Sequence, residues 1–182
     1  AAGALVRTAA QEHAGGGPPL QVGRKQANDF VTQADIASEQ AIVRCLLGAF
    51  PTHAVRTEES AQTHGTPGAS HVWIVDPLDG TTNFIHGYPA FGVSIALAVQ
   101  GRVELGVVLD VTTGDLFRAT RGGGAFCNGR RLQVARRAVL DEALVATSCP
   151  HRAGPGLERS LQMLGAVMAR VGALRRSGSA AL

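Results

Sequence analysis

Asp76 and Asp79 stand three residues apart in the run Asp76-Pro77-Leu78-Asp79-Gly80-Thr81-Thr82-Asn83-Phe84. Pro77 fixes the backbone between them, so both carboxylates leave the end of a strand on a stiff turn and their oxygens can converge. Hard cations such as Mg2+ take carboxylate and carbonyl oxygens and keep several waters, which matches Asp76, Asp79 and the Leu78 carbonyl with room left for a substrate phosphate. Gly80 permits a close backbone approach, and a helix starting at Thr81 would present free N–H groups to an anion. Cation and phosphate would then sit side by side. The DxxD spacing alone is equally served by a surface turn with two solvated aspartates. The apolar run Val72-Trp73-Ile74-Val75 before it, the Gly-Thr-Thr after it and a second acidic pair weigh against that alternative.

That second pair is Glu58-Glu59-Ser60. Adjacent carboxylates repel, so near a buried site they require a cation, whereas in a solvated loop they are tolerated. Neighbouring side chains diverge, which assigns Glu58 to the cations and Glu59 to a supporting role behind it.

The elements that must carry these groups read as follows. Ala1 to His13 is Ala-rich and helical, ended by Gly15-Gly16-Gly17-Pro18-Pro19. A polar connector from Arg24 to Asp29 leads to Thr32 and Asp35, which cap a helix with apolar positions Ile36, Ile42, Val43, Leu46, Leu47 and Phe50, stopped by Pro51. A loop from Ala61 to Ser70 precedes a buried strand over Val72 to Val75, with Trp73 packed beneath Asp76. Phe91 to Val99, Val103 to Asp110 and Leu116 to Thr120 read as an antiparallel meander, and Asn128-Gly129 as a hairpin turn. Leu144 to Thr147 reads as a strand, and Leu157, Leu161, Leu164, Met168 and Val171 mark one helix face, with both methionines in the core. Runs of strands and runs of helices share residues 1–182, which predicts a single domain of α+β layers.

Composition excludes other classes. With 182 residues, 45% of them hydrophobic and 17% charged, the chain is long and apolar enough for a core and is not disordered. No apolar run reaches membrane-spanning length and no leader pattern is visible, so a cytoplasmic protein without membrane contact is expected. Cys45, Cys127 and Cys149 show no CxxC spacing and read as reduced thiols, Cys127 as a half-buried one in its hairpin. His53, His64, His71 and His86 match no ligand pattern. Arg118 to Arg137 holds six arginines and no acid, a segment able to meet nucleic acid, but no finger, helix-turn-helix or stacking pattern accompanies it and nucleic acid is the less favoured partner.

Four motifs in this order, Asn28-Asp29-Phe30-Val31-Thr32 with Asp35, Glu58-Glu59-Ser60, Trp73 to Phe84, and Arg175-Arg176-Ser177-Gly178-Ser179-Ala180-Ala181-Leu182, resemble the inositol monophosphatase family in its bacterial form. The likeness covers essentially the whole chain, including the glycine-rich Gly122 to Gly129. It implies the layered αβαβα sugar-phosphatase fold shared with fructose-1,6-bisphosphatases, and Mg2+-dependent hydrolysis of a phosphate monoester. By the same resemblance Glu58, Asp76 and the Leu78 carbonyl hold a first Mg2+, Asp76 and Asp79 a second, and Glu58 faces a weaker third through waters. Mn2+ would substitute, and Li+ and Ca2+ would inhibit. Thr81, oriented by Asp35, would activate the attacking water with Glu58, while the Gly80 and Thr81 amides grip phosphate.

Lys25, the only lysine, falls in a mobile loop where the family carries a lysine near the metals, and a compact ammonium suits that place better than a guanidinium. A chance surface lysine is the alternative. Arg176 falls where substrate contacts are expected. Thr82-Asn83 resembles inositol and sugar phosphatases, which puts inositol monophosphate first and fructose bisphosphate next, with a homodimer implied for the full-length protein. The family continues past the point where this chain stops, through an αβ portion whose Trp-Asp motif completes the second metal site, so an incomplete C-terminal layer is expected. An inactive fragment and an Arg-rich nucleic-acid or transcription-complex binding protein are the readings from other classes.

Overall fold

The computed structural model describes residues 2–15, 21–26, 29–60, 62–148 and 154–182, with the side chains of all of these except 24–26, 29–31 and 155. Gly16 to Pro19, Asn28 and Cys149 lie outside the described residues, as does the side chain of Lys25. Helix α1 (Ala2–Ala14) is followed by strands β1 (Val22–Gln26) and β2 (Asp29–Thr32), an antiparallel ribbon. This corrects the expected connector and mobile loop: Lys25 belongs to β1, because the backbone of this polar stretch finds its hydrogen bonds in β2.

Helix α2 (Gln33–Ala49) begins as anticipated. The Thr32 hydroxyl oxygen accepts the Ala34 N–H at 3.2 Å, and Asp35 Oδ2 accepts the Thr32 N–H at 2.8 Å, a capping box. At the other end the Phe50 N–H closes on the Leu46 carbonyl at 2.8 Å, and Pro51 cannot continue the helix. Next come β3 (Ala54–Thr57), β4 (Thr63–Gly65), β5 (His71–Asp79), the one-turn α3 (Thr81–Ile85), β6 (Gly92–Val99), β7 (Arg102–Asp110), β8 (Leu116–Thr120), β9 (Gly124–Cys127) and β10 (Arg130–Arg131). They form one sheet in the order β10-β9-β8-β7-β6-β5-β3-β4, in which β3 and β5 are the parallel neighbours and the other pairs are antiparallel. The meander and its turns follow the sequence. Gln100-Gly101 and Asn128-Gly129 both take positive φ at their two central residues, the geometry of tight hairpins.

Helices α1 and α2 cover one face of this sheet. Val6 of α1 and Ile42 of α2 meet Val55, Val75, Val93 and Val111 in the core. Trp73 belongs to the same core but points to the face opposite Asp76, as strand alternation requires; its indole N–H donates to His53 Nδ1 at 3.0 Å and its ring lies against Phe50. Beyond the sheet, β11 (Leu144–Ala146) pairs in parallel with β12 (Ala173–Arg175) around α4 (Pro155–Met168). Strands β4 and β12 were not anticipated, since three residues carry too little periodicity to show. The methionines are also a correction: Met163 and Met168 are 61% and 59% exposed, on the outside of α4. Cys127 is half-buried as expected. No helix among the described residues is long and apolar enough to cross a membrane.

Phe84 anchors α3 to the core. It is 1% exposed and meets Phe91 edge to face at 5.4 Å between ring centroids. Phe84→Ala should therefore cost about 3–5 kcal/mol, read by urea unfolding with the single tryptophan as reporter. A loss under about 1 kcal/mol would mean that α3 is not held by this contact.

Candidate active site

Parallel neighbours end on the same edge of a sheet, and that is what brings the acids together. Thr57 of β3 lies opposite Val75 of β5, and the Glu58 N–H extends the ladder by donating to the Val75 carbonyl at 3.1 Å. Glu58 therefore arrives beside Asp76, at the carboxyl ends of a parallel pair, where open α/β sheets gather ligands. β5 does not stop at Val75 as anticipated but continues to Asp79. Its register against β6 slips on the way: Asp76 faces Ser94 and Asp79 faces Gly92, so three steps on β5 match two on β6. This bulge re-aims the carboxylates, and Pro77 sits in it because no ladder N–H is needed there. The Leu78 N–H turns back to Asp76 Oδ1 at 3.1 Å.

Burial, the nearby charges of Glu58 and Asp79, and a hydrogen bond to Glu58 push the Asp76 carboxyl from 3.8 up to about 8, only partly offset by the Leu78 N–H. A hydrogen bond between two carboxyl groups requires a proton on one of them. Near neutral pH the Asp76 carboxyl thus holds a proton in the place where a cation could take over its work.

Asp35 forms a second centre. It is 0% exposed, and its Oδ2 accepts both the N–H and, at 2.5 Å, the O–H of Thr32. Burial raises its pKa in spite of these donors. Its Oδ1 lies 3.1 Å from the Thr81 hydroxyl, which is also 3.1 Å from the Leu78 carbonyl. Thr81 has one proton for two acceptors, so its oxygen lone pairs remain open to accept from a third group. Gly80 makes the turn into α3 at φ +90, and a Cβ there would lie 2.8 Å from the Ala90 carbonyl oxygen, so only glycine fits.

Asp79 is buried and turned toward the end of the chain. The Ser179 hydroxyl and the Ala181 N–H (2.8 Å) donate to its Oδ2, and the Ala180 N–H donates to its Oδ1 at 3.1 Å. Ser179 was missed in the sequence. A serine opening a run of small residues is a helix-cap pattern and could have drawn attention to it. Asn83 also proves structural, donating to the carbonyls of Ala90 at 2.6 Å and Ser177 at 2.8 Å.

The structure thus brings Glu58, Asp76 and Asp79 into one field and joins Asp35, Thr81 and Leu78 in one network. Glu59 is half-buried next to Glu58. Arg176 is exposed after β12, with no hydrogen bond or ion pair among the described residues. Among the described residues no three His, Cys, Asp or Glu side chains converge as a finished metal cage. Asp76 is engaged with Glu58 and Asp79 with residues 179–181. The donor set nevertheless fits a hard divalent cation, because it consists of oxygens and carries a carboxylate repulsion that such a cation relieves.

A layered α+β fold with an acidic cluster at the carboxyl ends of its parallel strands defines the class. The chain belongs to the inositol monophosphatase family, whose model matches residues 1–182. It is 46% identical over 166 residues to the Nus factor SuhB of Pseudomonas aeruginosa and 47% identical over 163 residues to the inositol-1-monophosphatase of Rhizobium meliloti, in each case over 90% of this chain and 61% of the relative. The chain thus spans about three fifths of the length of these curated relatives. Among solved structures, the extragenic suppressor protein suhB of Bartonella henselae superposes with a TM-score of 0.91 at 42% identity, covering 99% of this chain and 67% of that one. An IMPase/NADP phosphatase solved in complex with Mg2+ and phosphate superposes at 0.73 with 25% identity, covering 88% of this chain and 59% of the other.

The raised Asp76 carboxyl sets a pH dependence. Between 3.8 and about 8 the folded protein holds a proton that the unfolded chain releases, so stability falls as pH rises through this window and levels off above it. The Tm of the metal-free protein relative to Asp76→Asn should therefore fall as pH rises through that window, and calorimetry within it should show proton release when Mg2+ binds. A Tm difference that does not change with pH would contradict the assignment.

Proposed function

We propose that the chain carries the catalytic carboxylates of a Mg2+-dependent phosphate monoester hydrolase, with inositol monophosphate as the first-choice substrate and fructose 1,6-bisphosphate as the next. The observation that carries this reading is the Asp35–Thr81–Leu78 network set beside the Asp76–Glu58 pair. Glu58, Asp76, the Leu78 carbonyl and Asp79 are the residues that would hold Mg2+ or Mn2+. The bound cations supply charge neutralisation at the phosphate and a lowered pKa for the attacking water.

The remaining steps fall to the chain itself. Thr32 fixes the Asp35 carboxylate through its N–H and O–H. Asp35 then accepts a hydrogen bond from the Thr81 hydroxyl, so that the Thr81 oxygen lone pairs are left to accept from the water and orient it. Glu58 would accept a proton from that water. Gly80 allows the turn that brings the Gly80 and Thr81 amides to the phosphate. A homodimer and a cytoplasmic setting belong to the same proposal.

A second reading, nucleic-acid binding, is favoured by one feature. Arg118, Phe126 and Arg131 form a cross-strand row over β8, β9 and β10, with the guanidinium carbons 5.3 Å and 5.8 Å from the Phe126 ring centroid. Salt-sensitive RNA binding without Mg2+-dependent phosphate release would favour it over the hydrolase.

For the hydrolase, Thr81→Ala in the full-length protein should lower phosphate release from inositol 1-phosphate by about 100-fold or more while leaving Mg2+ affinity unchanged. Equal losses of rate and affinity would refute the role of the hydroxyl in orienting water.

A further inference from the structure

An ionised carboxylate offers about four lone-pair sites. Three of those on Asp79 are taken, two on Oδ2 by the Ser179 O–H and the Ala181 N–H and one on Oδ1 by the Ala180 N–H. Ser179 itself is buried, and its oxygen accepts the Leu182 N–H at 3.1 Å, which directs its own proton to Asp79. The strap that delivers these donors is fastened separately. Asn83 Nδ2 holds the Ser177 carbonyl at 2.8 Å, and Gly178, at φ +86, lies so close to the Asn83 amide that a Cβ would stand 2.9 Å from its Oδ1. Two contacts about a hundred residues apart in sequence thus clamp residues 177–182 onto the β5–α3 turn.

We propose that Ser179 is a positioning residue which, with the Ala180 and Ala181 amides, fixes the Asp79 carboxylate so that a single lone pair on Oδ1 is open to a cation. The inference rests on Asp79 being a cation ligand, as proposed above. One open lone pair dictates monodentate ligation. That suits Mg2+ and Mn2+, which bind in compact octahedra, better than Ca2+, which is larger and accepts bidentate carboxylates. Ser179 therefore sets cation choice as well as affinity.

The test is titration of the metal-free protein with Mn2+ alone and with Ca2+ alone, by calorimetry and by the electron paramagnetic resonance of free Mn2+. Ser179→Ala should weaken one Mn2+ site by about 10- to 100-fold, the usual effect of removing a partner that orients a ligand. It should leave a second site unchanged and weaken Ca2+ less, and Ser179→Thr should restore the parent behaviour. If Ser179→Ala does not fold, Ser179→Cys, which keeps the shape but is a weak donor, is read in the same way. Unchanged or tighter Mn2+ binding, or equal losses of Mn2+ and Ca2+, would overturn the role of Ser179 while leaving the hydrolase reading intact. A parent protein that binds neither cation would overturn both.

Discussion

Carboxylates crowded at one sheet edge repel one another, and the local structure is organised around disposing of that repulsion. Parallel pairing of β3 with β5 forces Glu58 against Asp76, and the bulge at Pro77 brings Asp79 into the same field. Glu58 reaches solvent, but Asp76 is half-buried and Asp79 and Asp35 are buried, so these three need a proton, a donor or a cation. The chain provides a different remedy for each. Asp76, half-buried beside Glu58, keeps its own proton up to about pH 8. Asp79 draws on three donors from residues 179–181. Asp35, the most deeply buried, accepts from Thr32 and Thr81.

These remedies differ in how easily they are undone, and that difference separates roles. The capping box around Asp35 is part of the start of α2, so disturbing it costs the helix its N-terminus. The proton on Asp76 is instead removed by raising the pH past about 8. The first arrangement suits a fixed orienting group and the second suits a site that exchanges a proton for a cation. Structural demands on glycine fall at the same places: Gly80 turns β5 into α3 and Gly178 lets the terminal strap approach Asn83.

The legible part of this site was the part encoded locally. Asp76, Asp79, Gly80 and Thr81 lie within six residues, and the Thr32–Asp35 cap is a four-residue pattern, so residue type and spacing were sufficient. The meander was legible because its strands are long and its turns carry glycine. What escaped depends on contacts between distant segments. Ser179 meets Asp79 across a hundred residues, β12 is defined by its pairing with β11, and the β1–β2 ribbon has a polar sequence with no alternation. The methionines of α4 failed for two reasons: Met168 is on the apolar face that periodicity picks out, but periodicity does not say whether anything covers that face, and Met163 is not among its positions.

Under the proposed function, Asp76, Glu58 and the strapped carboxylate of Asp79 together form a cation site. Anomalous X-ray diffraction from crystals grown with Mn2+ tests it most directly. A manganese peak ligated by Asp76 and Glu58 is expected, and a second with Asp79 bound through Oδ1 while Oδ2 keeps its contacts to Ser179 and Ala181. Manganese peaks located elsewhere, with none at Asp76, Glu58 or Asp79, would rule the cation site out.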